Sequence, residues 1–465
     1  QARVYFTEDL QAPYNNLRQA LLDKLNELKA VSNGMMTIEI IDANTGKTFA
    51  EEAERFGIEA IPYRYKKGTL TEARTVYMGA VLLYGERTAP LGPFVAEETM
   101  EYELVRAIRL ITADLQTIKT IGYLVSEGEP ELTKMDPKSP LGQFREQINK
   151  DHNLVPVTLG GLDNPLDKVD ALFVMGPQIP MHSRAQYQLD QYLMKGKPAS
   201  FFIGSFRPDF GAMRAVPVRH GLNSLLGHYG IQLNKDALVD RKNNERFTVP
   251  VTTGNRTRNV PVNYPLIPKT TNINRNHLLG RQNHQMILPF VSSITMDSDP
   301  RPGTLVEPLI STMDGSGRIQ SLRHIHPSVF KVPAPGEEAG PHVVGATVTG
   351  RLSSFFLNKD VPIPAGVAPD DPRFSNDPTQ TIADGAPTKL LVISSADFMA
   401  NNVGFLLDTA DWMLDDPALM SIRRKLEAPP PMERPEGSAA IAYKLGIFGV
   451  PSLILMLFSI VMWVR

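Results

Sequence analysis

The chain has 465 residues, enough for two to four domains at roughly 150 residues each. Forty-eight Lys and Arg against 50 Asp and Glu leave a net charge of −2, which removes the electrostatic basis for a generic nucleic-acid binder. Cysteine is absent, so disulfides, thiolate metal sites, cysteine-ligated clusters and a cysteine nucleophile are all excluded.

From the amino end, Arg3–Thr7 reads as a strand and Asn15–Val31 as a helix with Leu17, Ala20, Leu21, Leu25 and Leu28 on one stripe. Met36–Asp42 reads as a second strand, Phe49–Phe56 as a helix closed by Gly57, and Ile58–Tyr63 and Thr75–Tyr84 as further strands. That order is the order of a thioredoxin-like unit. Phe56–Pro62 resembles the thioredoxin segment that carries a cis-proline, which makes Pro62 the structural cis-Pro candidate. The redox chemistry is missing, because Leu10–Asn16 holds no thiol where Cys-x-x-Cys would stand. Thr99–Thr112 reads as an amphipathic helix with Met100, Leu104, Ile108 and Ile111 inward, and its Glu101, Glu103, Arg106 and Arg109 read as surface charge pairs.

A second α/β unit opens at Lys119–Ser126. A helix at Leu141–Asn149 and a strand at Leu154–Leu159 precede Asp170–Met175, whose unbroken apolar run suits a parallel sheet buried on both faces. Gly176 and Pro177, a helix at Arg184–Met194 and a strand at Ala199–Gly204 continue the pattern. It resumes at the strand Thr388–Ser394 and ends with helices Val403–Met413 and Pro417–Arg424. The intervening residues, about 208–387, are rich in Pro, Gly, Asn and Thr and read as a β-rich insertion with long surface loops.

Leu445–Val464 is twenty residues without a charge, bracketed by Lys444 and Arg465. As a helix it would span about 30 Å, the hydrocarbon thickness of a bilayer. Ahead of it, Ala428–Ser438 is a proline-rich, semi-rigid spacer. The first residue is Gln1 rather than Met, the mark of a processed or trimmed end.

No G-x-S-x-G elbow and no G-x-x-x-x-G-K-[ST] phosphate loop occurs, so serine-hydrolase and P-loop ATPase chemistry are not indicated. His324 and His326, with His342, have a spacing that zinc accepts, but surface histidines are the commoner reading. Asp297, Asp299 and Asp314 do not fall at the spacing of a calcium loop. No cofactor is called and no catalytic residue is assigned. A ligand-binding rim is expected where apolar strands end in a doubly wound sheet. Its candidates are Ser126, Glu127, Gly176, Pro177, Ser205, Arg207, Ser394, Ser395 and Asp397; turn chemistry is the plainer account of the same residues.

Taken together, Val4–Thr7, Phe56–Ile61, Glu101–Leu104, Ile121–Glu129, Asp170–Pro177, Gln188–Leu193, Gly221–Leu226, Gly350–Phe355, Leu391–Asn401 and Asp411–Leu414 resemble, in order, the GldG-type auxiliary subunit of gliding-motility-associated ABC transporters. The resemblance implies an α/β fold in four parts. A thioredoxin-like domain lies at 1–117, and a Rossmann-like domain of the class I glutamine-amidotransferase type at 118–427, with its insertion at about 208–387. A stalk at 428–443 and a transmembrane helix at 444–465 follow. It further implies a non-enzymatic binding subunit, with an ABC-2-type permease, a separate ATPase and the bilayer as partners. The body would be periplasmic, on the bacterial inner membrane. The family usually has an amino-terminal membrane helix as well; none stands in the present sequence, through either trimming before Gln1 or a real departure from the family. An envelope glycan hydrolase using unassigned carboxylates, and a purely structural scaffold, stand as alternatives; a homo-oligomer is compatible with each.

Overall fold

The computed structural model describes residues 1–415 apart from 13, 42–46, 68–69, 98–99, 113–117, 254–255, 282–284, 334 and 369–370. The stalk, the closing helix at 417–424 and the apolar run Leu445–Val464 lie outside the described residues. All described residues belong to one compact unit, Gln1–Leu426; a second unit, Glu427–Arg465, is entirely outside them. Among the described residues no helix is long and apolar enough to cross a membrane.

The amino-terminal elements are β1 (Ala2–Phe6), α1 (Leu17–Val31), β2 (Ile38–Ile41), α2 (Lys47–Arg55), β3 (Ile61–Lys67), β4 (Leu70–Val76), β5 (Met78–Tyr84), β6 (Arg87–Leu91) and α3 (Met100–Thr112). Four of the strands form one sheet in the order β2-β1-β5-β6, with β1 parallel to β2 and antiparallel to β5. Leu17, Leu21 and Leu25 of α1 and Met100, Leu104, Ala107 and Ile111 of α3 bury against that sheet, with Ile108 half-buried beside them.

Two expectations change here. Thr75–Tyr84 is not one strand: the chain breaks at Tyr77, whose N–H donates to Thr7 Oγ1 (2.9 Å) while its carbonyl accepts from Thr7 N (2.8 Å). That exchange releases β3 and β4 into a separate two-stranded hairpin. Pro62 is not a cis-proline. It pairs with Thr75 as an exposed residue of that hairpin, where its missing N–H costs no sheet bond, and the cis peptides among the described residues precede Pro93 and Pro341.

The main sheet begins with β7 (Thr120–Leu124), α4 (Pro140–Asp151), β8 (Asn153–Val157), β9 (Ala171–Met175), α5 (Ser183–Met194) and β10 (Ala199–Phe202). Ser139 caps α4 by accepting from Gly142 N (3.1 Å), with Pro140 at the first helical position. Insertion elements follow: β11 (Phe206–Asp209), β12 (Arg214–Pro217), α6 (Asn223–His228), β13 (Ile231–Leu233), β14 (Ala237–Asp240), β15 (Asn244–Thr253), β16 (Arg256–Thr270), β17 (Met286–Ile287), β18 (Ile294–Met296), β19 (Thr304–Ser311), β20 (Ser316–Ile319), β21 (Glu338–Ala339) and β22 (Val343–Ser353). Then come β23 (Asp384–Ile393) and α7 (Val403–Met413).

Seven strands pair in the order β19-β22-β23-β10-β9-β7-β8. The five from β23 to β8 are parallel, and β22 and β19 extend the sheet antiparallel. The insertion is therefore not wholly an addition, because two of its strands complete the sheet. Alternation on β9 divides the core: Ala171, Phe173 and Met175 face α4 and α7, and Leu172 and Val174 face α5 and α6. With both faces covered, the strand carries no polar side, which is why it was visible in the sequence.

His220, just before α6, is buried and its pKa is pushed down to about 4 by burial. Its Nδ1 accepts the Leu222 N–H (3.1 Å), and its carbonyl accepts from Met181 N (3.1 Å). The folded pKa lies below the ordinary value near 6.5, so between those two pH values the unfolded chain takes up a proton that the fold refuses. Stability is full above about pH 6.5 and falls toward pH 4, by about 3 kcal/mol. Urea denaturation at pH 7.5 and 4.5 should show this loss. His220→Asn, which keeps an acceptor and cannot be protonated, should show a correspondingly smaller one; an equal loss would contradict the assignment.

Candidate functional site

Because β7, β9, β10 and β23 run parallel, the turns after them gather at one end of the sheet. Backbone bonds knit these turns together. Glu127 carbonyl accepts from Gln178 N (2.8 Å) and Ile179 N (3.2 Å), and Gly176 N donates to Phe202 O (2.7 Å). Gly176 has φ +69°, and a side chain there would place its Cβ 3.1 Å from the Ala396 Cβ. The turn after β9 thus needs glycine both for its left-handed backbone and for its contact with the turn after β23.

Ser126, Glu127, Gly176, Pro177 and Asp397 therefore belong to one rim. Ser394 and Ser395 lie beside it, but their hydroxyls point into the fold: Ser394 Oγ donates to Ser292 O (2.5 Å) and Val344 O (3.0 Å), and Ser395 Oγ to Pro289 O. Ser205 Oγ likewise donates to Asn234 O (2.6 Å). Arg207 is carried off in the β11–β12 hairpin, exposed and paired with Val216. These four are a correction to the expected rim: three serines tie the insertion to the sheet, and a hairpin sequesters the arginine.

Four rim residues escaped the sequence reading: Glu129, Gln178, Ile179 and His182. Glu129 is buried, and its Oε2 accepts the Glu127 N–H (2.6 Å). Its Oε1 is also buried, with no hydrogen-bond partner among the described residues. Burial pushes the Glu129 carboxyl above the usual carboxylate range; its backbone hydrogen bonds oppose this and Glu127 adds to it. Burial also raises Glu127, with Ser126 and His182 pulling it back, and burial raises Asp397. The signal in the sequence was Glu127-Gly128-Glu129, in which Gly128 at φ +82° turns the chain so that both carboxylates face inward. His182 caps α5 through Nδ1, which accepts Arg184 N (3.2 Å). Ile179 is 52% exposed at the rim.

Burial thus raises the pKa of three carboxyls in one rim. The same shift makes Glu129 a cost to the fold. A raised folded-state pKa gives stability that is present below the ordinary carboxyl value and lost as pH rises through the folded one. Glu129→Gln should therefore stabilise the chain at pH 7.5 and leave it nearly unchanged at pH 4, as measured by urea midpoints. Destabilisation at pH 7.5 would refute the burial argument.

Among the described residues no three His, Asp or Glu side chains lie where they could share a metal ion. His326 Nδ1 hydrogen-bonds Ser328 Oγ (2.7 Å), His342 Nε2 lies 3.2 Å from Glu338 O, and Asp297 accepts the Asp299 N–H (3.0 Å).

Comparison with known proteins adds a family. A domain of unknown function matches residues 1–83. No curated protein matches the chain. Similar solved structures include the mmIFT52 N-terminal domain, at 13% identity and TM-score 0.36, covering 63% of this chain and 96% of that one. Another is a putative ThuA-like protein from Bacteroides uniformis, at 10% identity and TM-score 0.30, covering 64% and 91%. Scores this low assign neither fold nor function to the present chain. The model of the family described as ABC-type uncharacterized transport system matches residues 119–418, which take in the whole seven-stranded sheet and its rim. The chain belongs to this family of ABC transport auxiliary proteins.

Proposed function

We propose that this chain is a non-enzymatic, membrane-anchored auxiliary subunit of an ABC-type complex of the gliding-motility kind, and that it works by binding. Family membership carries the reading, and it implies association with a transporter complex. The finer assignment names an ABC-2-type permease and a separate ATPase as partners, and the bilayer as the anchor for Leu445–Val464, with the body in the periplasm. In this reading residues 1–117 are a thioredoxin-like scaffold and 118–427 an amidotransferase-like Rossmann domain. Both normally act through a thiol, and the chain has no cysteine to supply one. The rim, with Ile179 exposed at its edge, offers a contact surface.

A photo-crosslinking residue at position 179, in cells that express the whole complex, tests this directly. The expected product is an adduct with a membrane subunit of the transporter. The same residue at Val31, exposed at the end of α1, should give none. No adduct, or identical adducts from both positions, would overturn the binding role of the rim. A second reading, a glycan-acting hydrolase, draws on the raised Glu127 and Glu129, since a general acid needs such a shift. It requires hydrolysis that Glu129→Gln abolishes.

A further inference from the structure

At the other end of the same sheet lies a cleft unrelated to the rim. Its wall includes Ser353, which pairs with Asp384 at the start of β23, whereas the rim follows the end of that strand at Ile393. The cleft holds about 50 Å³ and is lined by His228, Gly230, Asp297, Arg301, Thr304 and Ser353, among others. Its floor is left open by a glycine. Gly230 has φ +93°, and a Cβ there would stand 3.0 Å from the Val306 side chain and 3.4 Å from the Asp297 Cβ.

The walls are fixed by hydrogen bonds and ring contacts. His228, at the end of α6, hydrogen-bonds the Ser353 carbonyl through Nε2 (3.0 Å), and its ring meets Phe355 edge to face at 5.6 Å. The Lys359 ammonium sits 3.5 Å above the centre of the Phe355 ring. Behind this wall the Asp190 carboxylate accepts from Phe355 N and Ser354 Oγ (both 2.7 Å) and from Tyr229 OH (2.5 Å), which pins the loop. Arg301 is exposed at the mouth, and among the described residues no carboxylate lies within ion-pair distance of its guanidinium. Asp297 shares the cleft and brings its carboxylate charge, with Oδ1 accepting the Asp299 N–H (3.0 Å), so the anion is held on the Arg301 side.

An unpaired guanidinium beside an imidazole, in a space the size of a tetrahedral anion, is suited to planar or tetrahedral oxygen ligands. We propose that this cleft binds a small oxyanion, with Arg301 as its principal ligand and the His228 ring, when protonated, as a second positive charge beside it. The site does not depend on the transport reading. Burial first, then Arg301 and Lys359, lower the His228 pKa, while the Ser353 carbonyl and Asp190 raise it. A bound anion adds one more group that favours the imidazolium, so binding tightens as pH falls.

Sulfate is the probe, because its charge does not change over the range used. Calorimetric titration of the 465-residue chain at constant ionic strength should show saturable binding, several-fold tighter at pH 5.5 than at pH 8. Arg301→Gln, at an exposed position where the fold does not need the side chain, should weaken it at least tenfold. His228→Asn should retain binding at pH 8 and lose the pH dependence. Undiminished binding by Arg301→Gln, or no saturable binding by the wild type, would overturn the proposal. So would an unchanged pH dependence in His228→Asn.

Discussion

Asp190→Ala should lower stability by about 3–5 kcal/mol. Asp190 is fully buried on α5, and four donors converge on its carboxylate: Tyr229 OH (2.5 Å), Ser354 Oγ (2.7 Å), Phe355 N (2.7 Å) and Gln191 Nε2 (2.8 Å). These come from α5 itself, from the end of α6 and from the loop after β22, so one side chain joins a helix to two segments more than 38 residues away. Burial and the carboxylate also push the Tyr229 hydroxyl well above its ordinary pKa, so it stays a donor at any working pH. Alanine leaves the hydroxyls and the Phe355 amide without an acceptor in a site that water does not reach, and each such group costs about 1–3 kcal/mol. Asn, which keeps the shape and one acceptor, should lose about half as much. In urea the alanine variant's midpoint should fall by about 1–2 M. A fall no larger than that of an exposed control such as Asp167→Ala would show that the network carries little of the stability.

Phe202→Ala should cost a similar amount, about 3–5 kcal/mol, by a different route. Phe202 on β10 is fully buried between two rings, stacked at 6.2 Å on Phe173 and at 5.9 Å on Phe398. Phe144 and Phe405 extend the row edge to face, so the aromatic file runs from α4 to α7 beneath the sheet. Removing the central ring leaves a cavity that neighbours on rigid strands cannot fill. The consequence for the site is specific, because the Phe202 carbonyl is the acceptor for Gly176 N in the rim. Amide exchange at Gly176 and Gln178 should quicken in Phe202→Ala more than at Leu82 in the amino-terminal sheet. Phe202→Leu, which conserves most of the volume, should lose about 1.5 kcal/mol or less. Equal exchange at both places would separate the aromatic file from the rim.

How much of this was legible follows from burial and period. β9 stood out because both of its faces are covered, and α3 because a stripe of apolar residues marks its inner side. β19 and β22 did not, since Gly345, Thr347, Thr349 and Gly350 give a strand the composition of a loop, and only the pairing with β23 makes it regular. The rim was found in outline because strand ends are fixed by topology. Its members were partly misassigned because a serine that bonds a distant carbonyl, such as Ser394 to Ser292, looks identical in sequence to one that faces a ligand. Arg207 illustrates the same limit: a four-residue hairpin, β11 against β12, decides where its charge goes. Glu129 was passed over since a carboxylate two residues beyond another reads as solvated surface, whereas here it is buried. The Arg106 side chain reached further than the helical pairing anticipated, bonding Asp151 Oδ1 (2.8 Å) and Lys150 O (3.0 Å) as well as Glu103 (3.4 Å). It thereby fastens α3 to the end of α4.

The central claim is that this chain works as part of an ABC-type transport complex. Affinity purification of the tagged full chain from gently solubilised membranes, with mass spectrometry of what accompanies it, tests that claim most directly. The account predicts that an ATP-binding-cassette ATPase and a polytopic permease co-purify in fixed ratio with the chain; recovery of the chain with neither would contradict it.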